Sequence, residues 1–272
     1  MSESTLVLAL TIPAFNPSPQ TGAGNNTYLL PGREPLLVDA GVGDPRHLDE
    51  VERALGGAPL ARVVVTHHHS DHAAGIAAIA ARWPDAARLK KPWPERDGRY
   101  GVSWAPVDDG DEIPAGDGSL VAVWTPGHAP DHLCLFDVES RTLFGGDLMV
   151  RGNTVVIPAS HGGSLSQYLA SLERVRRLHP ARVLPAHGEP IDHAEALIDV
   201  YIEHRTQREA QILAALAGGA STPAAIVPRV YDALPPALID FARESVLAHL
   251  VKLEGEGSVR RVAEKWEVGS GK

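Results

Sequence analysis

The chain has 272 residues, 44% of them apolar, with 25 Lys and Arg against 34 Asp and Glu for a net charge of −9. That balance excludes a disordered chain, and the acidic excess argues against a generally basic nucleic-acid surface and against DNA as a partner. One cysteine, Cys134, rules out an intrachain disulfide and suits a reducing compartment.

Leu6–Ile12 reads as a strand, too short to span a bilayer and preceded by no basic region, so a cytoplasmic protein without membrane contact is expected. A Pro/Gly-rich loop leads to strands at Thr27–Leu30 and Leu36–Asp39, separated by a turn at Pro31–Pro35. Asp39, at a strand end, either orients a histidine or caps the next turn. A helix over Leu48–Leu55 precedes the strand Leu60–Val65, whose β-branched run Val63-Val64-Val65 reads as buried. Ala73–Ala81 has helical spacing. The next segment holds Arg82, Arg88, Lys90, Lys91, Arg96 and Arg99 and is the most cationic in the chain. It is read as a solvated face in preference to a phosphate-binding loop.

Glu112–Ile113, Leu120–Thr125, Leu133–Asp137 and Thr142–Phe144 follow as strands, Leu165–Leu178 as a helix and Arg182–Pro185 as a short strand. Two strand-rich halves, each followed by helix, predict an α/β architecture of two sheets face to face with helices outside. From Ala194 the pattern turns helical: Ala194–Leu216, Thr222–Ala233 and Pro235–Glu254, then a hairpin of Ser258–Val262 and Lys265–Val268. We divide the chain into a larger domain, residues 1–205, and a winged-helix-like domain, residues 206–272. In the second, eight Lys and Arg balance eight Asp and Glu, so it lacks a basic recognition helix. It is read as a packing or homodimerisation face.

The chemistry concentrates after Val65. On extended backbone His67 and His69, at i and i+2, project to one side and can converge on one ion. If the chain then turns into a helix, Asp71 and His72 point at a second position nearby. His68, between them, faces the other way and is read as structural. Imidazole and carboxylate suit Zn²⁺. Three later positions each lie in a short turn after an apolar run: His128 in Thr125-Pro126-Gly127-His128, Asp147 in Phe144-Gly145-Gly146-Asp147, and His187 after Val183-Leu184-Pro185-Ala186. The glycines allow backbone to approach a crowded centre. Any one of these alone reads as a hydrogen-bonded structural residue. Together they signal a metal site.

This pattern, HxHxDH at 67–72 followed by His128, Asp147 and His187, resembles the metallo-β-lactamase superfamily of binuclear hydrolases. The resemblance implies an αββα sandwich with the site at one edge of both sheets, and two Zn²⁺ per chain. It places His67, His69 and His128 on the first ion, Asp71, His72 and His187 on the second, and Asp147 between them. It also implies hydrolysis by a metal-bridging hydroxide, with Asp71 orienting that nucleophile and no covalent enzyme intermediate. Antibiotic-hydrolysing members lack an aspartate where Asp147 stands, so β-lactam hydrolysis would be incidental. Di-iron flavoproteins of the fold carry glutamate where His69 stands. Thr21-Gly22-Ala23-Gly24-Asn25, Asp131-His132, Pro185-Ala186-His187-Gly188-Glu189-Pro190 and the run from Tyr201 to Glu209 make the whole chain similar to the lactamase-β-like endoribonucleases.

Further residues are candidates for the substrate pocket. His161, Ser164 and Tyr168 follow Asp147 and also have a plain reading as loop and helix-start residues, Ser164 with Gln167 forming a capping box. His204 and Arg205 either reach an anionic substrate from the tail or form helix-surface ion pairs with Glu203 or Glu209. His132 is a candidate for supporting the ligands from behind. The leading substrate is single-stranded RNA, its flanking phosphates on Arg88, Lys90 or Lys91. The first alternative is a small acyl conjugate, cleaved as by glyoxalase II-like thioesterases and esterases. The second is a persulfide, oxidised on a single iron held by His67, His69 and His128.

Overall fold

The computed structural model describes residues 9–18 and 21–269. One sheet takes β1 (Leu10–Pro13), β2 (Asn26–Leu30), β3 (Leu36–Val38), β4 (Arg62–Val65), β5 (Ala87–Lys90) and β6 (Ala105–Pro106) in that spatial order. The first three strands alternate in direction and the last four run parallel. Parallel pairing needs crossovers, supplied by α1 (Pro45–Leu55) and by the consecutive helices α2 (Ser70–Ala73) and α3 (Ile76–Arg82). α4 (Pro94–Asp97) lies between β5 and β6. The second sheet is a meander of β7 (Glu112–Ala115), β8 (Gly118–Trp124), β9 (Leu133–Asp137) and β10 (Thr142–Gly146). After α5 (Leu165–Arg176), β11 (Arg182–Pro185) adds parallel to β10.

The alternation of strand side chains sets the layers. Leu29, Leu37, Val63 and Val65 face α1, α2 and α3, whereas Tyr28, Leu30, Leu36, Val38 and Val64 face the second sheet. From that sheet Leu120, Ala122, Leu133, Leu135 and Phe144 meet them, and Val123, Cys134, Phe136 and Leu143 turn to α5 and the tail. The result is the four-layer αββα sandwich.

The tail comprises α6 (Ala194–Ala217), α7 (Pro223–Val230), α8 (Ile239–Gly255) and a hairpin of β12 (Val259–Val262) and β13 (Lys265–Val268). Ala194, Ile198 and Tyr201 of α6 belong to the sandwich core, while Ile212, Ala215 and Leu216 join the separate core of α7, α8 and Trp266. The division at residues 205 and 206 falls inside this one helix. Among the described residues no helix is long and apolar enough to cross a membrane.

Several expectations change or fall partly outside the described residues. Residues 6–8 of the first expected strand lie outside the described residues, and β1 begins at Leu10. The single helix expected over Ala73–Ala81 is two, α2 and α3, joined at Gly75. There a Cβ would lie 2.1 Å from the Ala40 carbonyl oxygen, so only glycine lets the two backbones meet. The cationic segment is not wholly a solvated face, because it contains β5 and Lys90 is buried at its end.

Candidate metal centre

The seven ligand candidates all follow strand ends: His67, His69, Asp71 and His72 after β4, His128 after β8, Asp147 after β10 and His187 after β11. The two sheets are stitched together at that edge. The Leu133 amide donates to the Thr66 carbonyl at 2.8 Å and the Asn26 amide to the Ala186 carbonyl at 2.7 Å. Residues far apart in sequence therefore converge.

They form two groups, His67, His69, His128 and Asp147 in one and Asp71, His72 and His187 in the other, with ligand atoms within 4.8 Å of one another in each. In the first, His69 Nδ1 lies 2.9 Å from both His67 Nε2 and His128 Nε2. In the second, Asp71 Oδ2 lies 3.3 Å from His72 Nε2 and 3.4 Å from His187 Nε2. Asp147 faces both. Its Oδ2 is 3.3 Å from His128 Nε2, and its Oδ1 is 3.2 Å from His187 Nε2 and 3.5 Å from His72 Nε2.

Neighbouring acceptors settle two tautomers. His128 Nδ1 is 2.7 Å from the Val156 carbonyl, which can only accept, so Nδ1 carries the hydrogen and Nε2 presents a lone pair inward. His72 Nδ1 likewise donates to Asp39 Oδ2 at 2.7 Å. Asp39 Oδ1 also accepts the Thr66 amide at 2.7 Å, so the carboxylate both orients a ligand and satisfies the next turn.

Ionisation differs between the two groups. Burial pushes His67 and His69 well below the usual imidazole range, so both are neutral. Burial works to raise Asp147 and Asp71, but the adjoining imidazoles outweigh it and hold both carboxyls low. Burial opposes charge on His72 and His187 too. It is overcome by Asp71, Asp39 and Asp147 at His72, and chiefly by Asp147 at His187, which rises to about 9. Without an ion the second group thus holds protons where its carboxylates demand positive charge. Three imidazole nitrogens crowd the first group, while His187 Nδ1 is buried with no hydrogen-bond partner among the described residues. This donor set fits metal ions.

The supporting residues are specific. His132 Nε2 accepts the Asp147 amide at 3.0 Å, and its Nδ1 meets Thr125 Oγ1 at 2.8 Å. A Cβ at Gly146 would lie 2.7 Å from His132 Nε2. His68 points away, 3.3 Å from Asp131 and edge-on to Trp93. Asn25, not among the expected site residues, donates Nδ2 to Asp71 Oδ2 at 3.0 Å. Its position in the Thr21–Asn25 stretch was the available signal, but an amide 46 residues from its partner has no local pattern to betray it.

The proposed substrate residues are placed differently. Tyr168 is fully buried and donates its hydroxyl to the Leu148 carbonyl at 2.6 Å. His161 is exposed on a 3₁₀ turn and bonds its neighbour Ser160. Ser164 caps α5 through the Gln167 amide. His204 is half-buried, 3.5 Å from Arg208. Among the described residues Arg205 forms no helix-surface ion pair, for Glu203 binds Gln207 and Glu209 binds Lys252. It turns inward, 3% exposed, and donates to the Val155 carbonyl. In the cationic segment Lys90 lies 2.6 Å from Asp97 and 2.9 Å from Asp131, Lys91 pairs with Asp108, and Arg88 donates to the Pro84 and Ala86 carbonyls.

Residues 21–187 match the metallo-beta-lactamase superfamily, and residues 222–266 match the beta-lactamase associated winged helix domain. The chain is 35% identical to a beta-lactamase-like protein 2 homolog of Caenorhabditis elegans, over 74% of this chain and 68% of that protein. It is 31% identical to an atrochrysone carboxyl ACP thioesterase of Passalora fulva, over 92% of this chain and 76% of that protein. A beta-lactamase domain protein from Burkholderia ambifaria superposes with a TM-score of 0.83 at 23% identity, covering 96% of this chain and 91% of its own. That last likeness is one of fold.

Proposed function

The chain belongs to the metallo-β-lactamase superfamily of hydrolases, and from that premise we propose that it is a two-zinc hydrolase of small acyl conjugates, thioesters above all. The observation that carries the two-ion reading is Asp147, whose two oxygens are divided between two complete donor groups. When bound, the paired ions supply Lewis acidity toward a substrate oxygen and a water acidic enough to act near neutral pH. The chain's own residues do the positioning. Asn25 fixes Asp71 Oδ2 at the edge of the site, ionised and able to accept the hydrogen bond that orients an incoming nucleophile. His132 and Asp39 hold Asp147 and His72 from behind.

Two observations support an acyl substrate over RNA. A thioesterase stands among the relatives similar over most of their length. A phosphodiester needs free cations for its flanking phosphates, and Lys90, Lys91 and Arg88 are all engaged within the chain.

Elemental analysis and a side-by-side panel of a thioester, a phosphodiester and a lactone test this, with Asp71→Ala as control. We expect two zinc ions per chain and thioester turnover that falls at least about a hundredfold in the variant, the scale of one positioned acid–base group. Turnover of the phosphodiester alone transfers the assignment to the endoribonuclease reading, and a single iron transfers it to the dioxygenase. An Asp71→Ala protein as active as wild type removes the mechanism.

A further inference from the structure

Between Asp147 and the 3₁₀ turn at Ala159–His161, residues 149–158 form neither helix nor strand, yet Val156 among them meets the ring of His128. Backbone without a ladder partner must find its hydrogen bonds elsewhere. Here helices supply several of them. Tyr201 of α6 accepts the Val150 amide at 2.8 Å, and its hydroxyl oxygen, with one hydrogen to donate, lies 2.9 Å from both the Val150 and the Asn153 carbonyl oxygens. Four residues along the same face, Arg205 donates Nη2 to the Val155 carbonyl at 2.5 Å. Tyr168 of α5 donates to Leu148 and carries the Arg205 guanidinium over its ring at 5.5 Å.

The next carbonyl after Val155 is Val156, which accepts from His128 Nδ1 and thereby sets both the tautomer and the direction of that ligand. We propose that Arg205 and Tyr201 are positioning residues for the metal centre: through the 149–158 segment they hold the Val156 carbonyl where it aims His128 Nε2 at the first ion.

A purely structural role accounts poorly for an arginine at this place. Arg205 is 3% exposed, among the described residues no carboxylate pairs with it, and its Nε has no partner. A buried cation is costly even when paired, and one carbonyl hydrogen bond and the face of one aromatic ring are a small return for it. Methionine of similar length would fill the same space without the charge. What methionine cannot do is fix a carbonyl.

The inference rests on the two-group metal site, and the experiment separates the two ideas. Arg205→Met, Arg205→Lys and Tyr201→Phe are compared with the full-length wild type by competition with a chromophoric chelator for Zn²⁺. The visible spectrum of the Co²⁺-loaded proteins and hydrogen exchange at the Val150 amide in the metal-free proteins complete the set. We expect Arg205→Met and Tyr201→Phe to weaken binding at the His67, His69 and His128 group by about tenfold or more, the scale for outer partners of metal ligands. We also expect an altered Co²⁺ spectrum, faster exchange at Val150 in Tyr201→Phe, and partial recovery of affinity in Arg205→Lys. If wild type binds no metal, the metal site itself fails. If wild type binds and the variants match it in affinity and spectrum, even at a lower melting temperature, the positioning role is overturned. Should Arg205→Met not fold, Arg205→Lys and Tyr201→Phe decide by the same measurements.

Discussion

Asp39→Asn isolates one hydrogen bond at the centre. In the wild type Asp39 Oδ2 accepts from His72 Nδ1 at 2.7 Å and from Thr66 Oγ1 at 3.1 Å, while Oδ1 accepts the Thr66 amide at 2.7 Å. Asparagine can keep the Thr66 amide on its carbonyl oxygen, which leaves its NH₂ facing His72. Two donors then meet, and the relief open to the imidazole is to surrender the Nδ1 hydrogen and carry it on Nε2. That hydrogen would point at Asp71 and Asp147, the space where the second ion would sit. Outer-partner substitutions of this kind weaken metal binding about 10- to 100-fold, or roughly 1.4–2.8 kcal/mol. Zinc titration against a chelator should resolve two affinities in the wild type. In Asp39→Asn the affinity of the Asp71, His72 and His187 group should fall and the other stay within about threefold. Two ions held as tightly as in wild type would refute the tautomer argument. Equal loss at both groups would mean that Asp39 acts through the fold instead.

Two other predictions concern stability. Lys90 is buried between Asp97 and Asp131, and removing it as Lys90→Met leaves Asp131, buried and ionised, with only the His68 ring beside it as a hydrogen-bond partner among the described side chains. A loss of roughly 3–5 kcal/mol is expected in urea titration, and an unchanged midpoint would show that the pair contributes nothing. His47 is buried against Thr27, and burial lowers its pKa to about 4, with Asp44 opposing weakly. The unfolded chain takes up that proton near pH 6.5, so the stabilisation is full above 6.5, falls as pH drops through the window, and levels below 4. Relative to His47→Gln, the wild type should therefore lose about 2 kcal/mol more between pH 7 and pH 5. Parallel stability curves for the two proteins would remove His47 from the acid response.

The sandwich was legible because its strands alternate cleanly: the same residues that read as apolar runs, such as Val63-Val64-Val65, split between the two faces of the first sheet. The ligand candidates were legible because each is a metal-binding type in a turn after such a run. What stayed hidden depends on contacts made only by the folded chain. β5 was masked by its charges, since Arg88 and Lys90 look solvated until Asp131, 41 residues on, is seen to close over Lys90. Gly75 gives no sign in sequence that the Ala40 carbonyl presses on it. Arg205 pointed toward a substrate or a surface ion pair because a helix surface is where arginine usually belongs. Its turn inward is set by Val155, 50 residues earlier.

The same contacts show why the tail is not separable from the chemistry. α6 begins in the sandwich core and ends in the core of α7 and α8, so its angle is fixed at both ends. The irregular 149–158 stretch takes hydrogen bonds from Tyr201, at the sandwich-core end of α6, and from Arg205 one turn further on. Rigid helices hold a site to finer tolerance than loops do, and here the helix lends that rigidity to a loop. Melting α7 and α8 without touching any ligand should then loosen His128 before it loosens His72, whose partner Asp39 belongs to the sandwich alone.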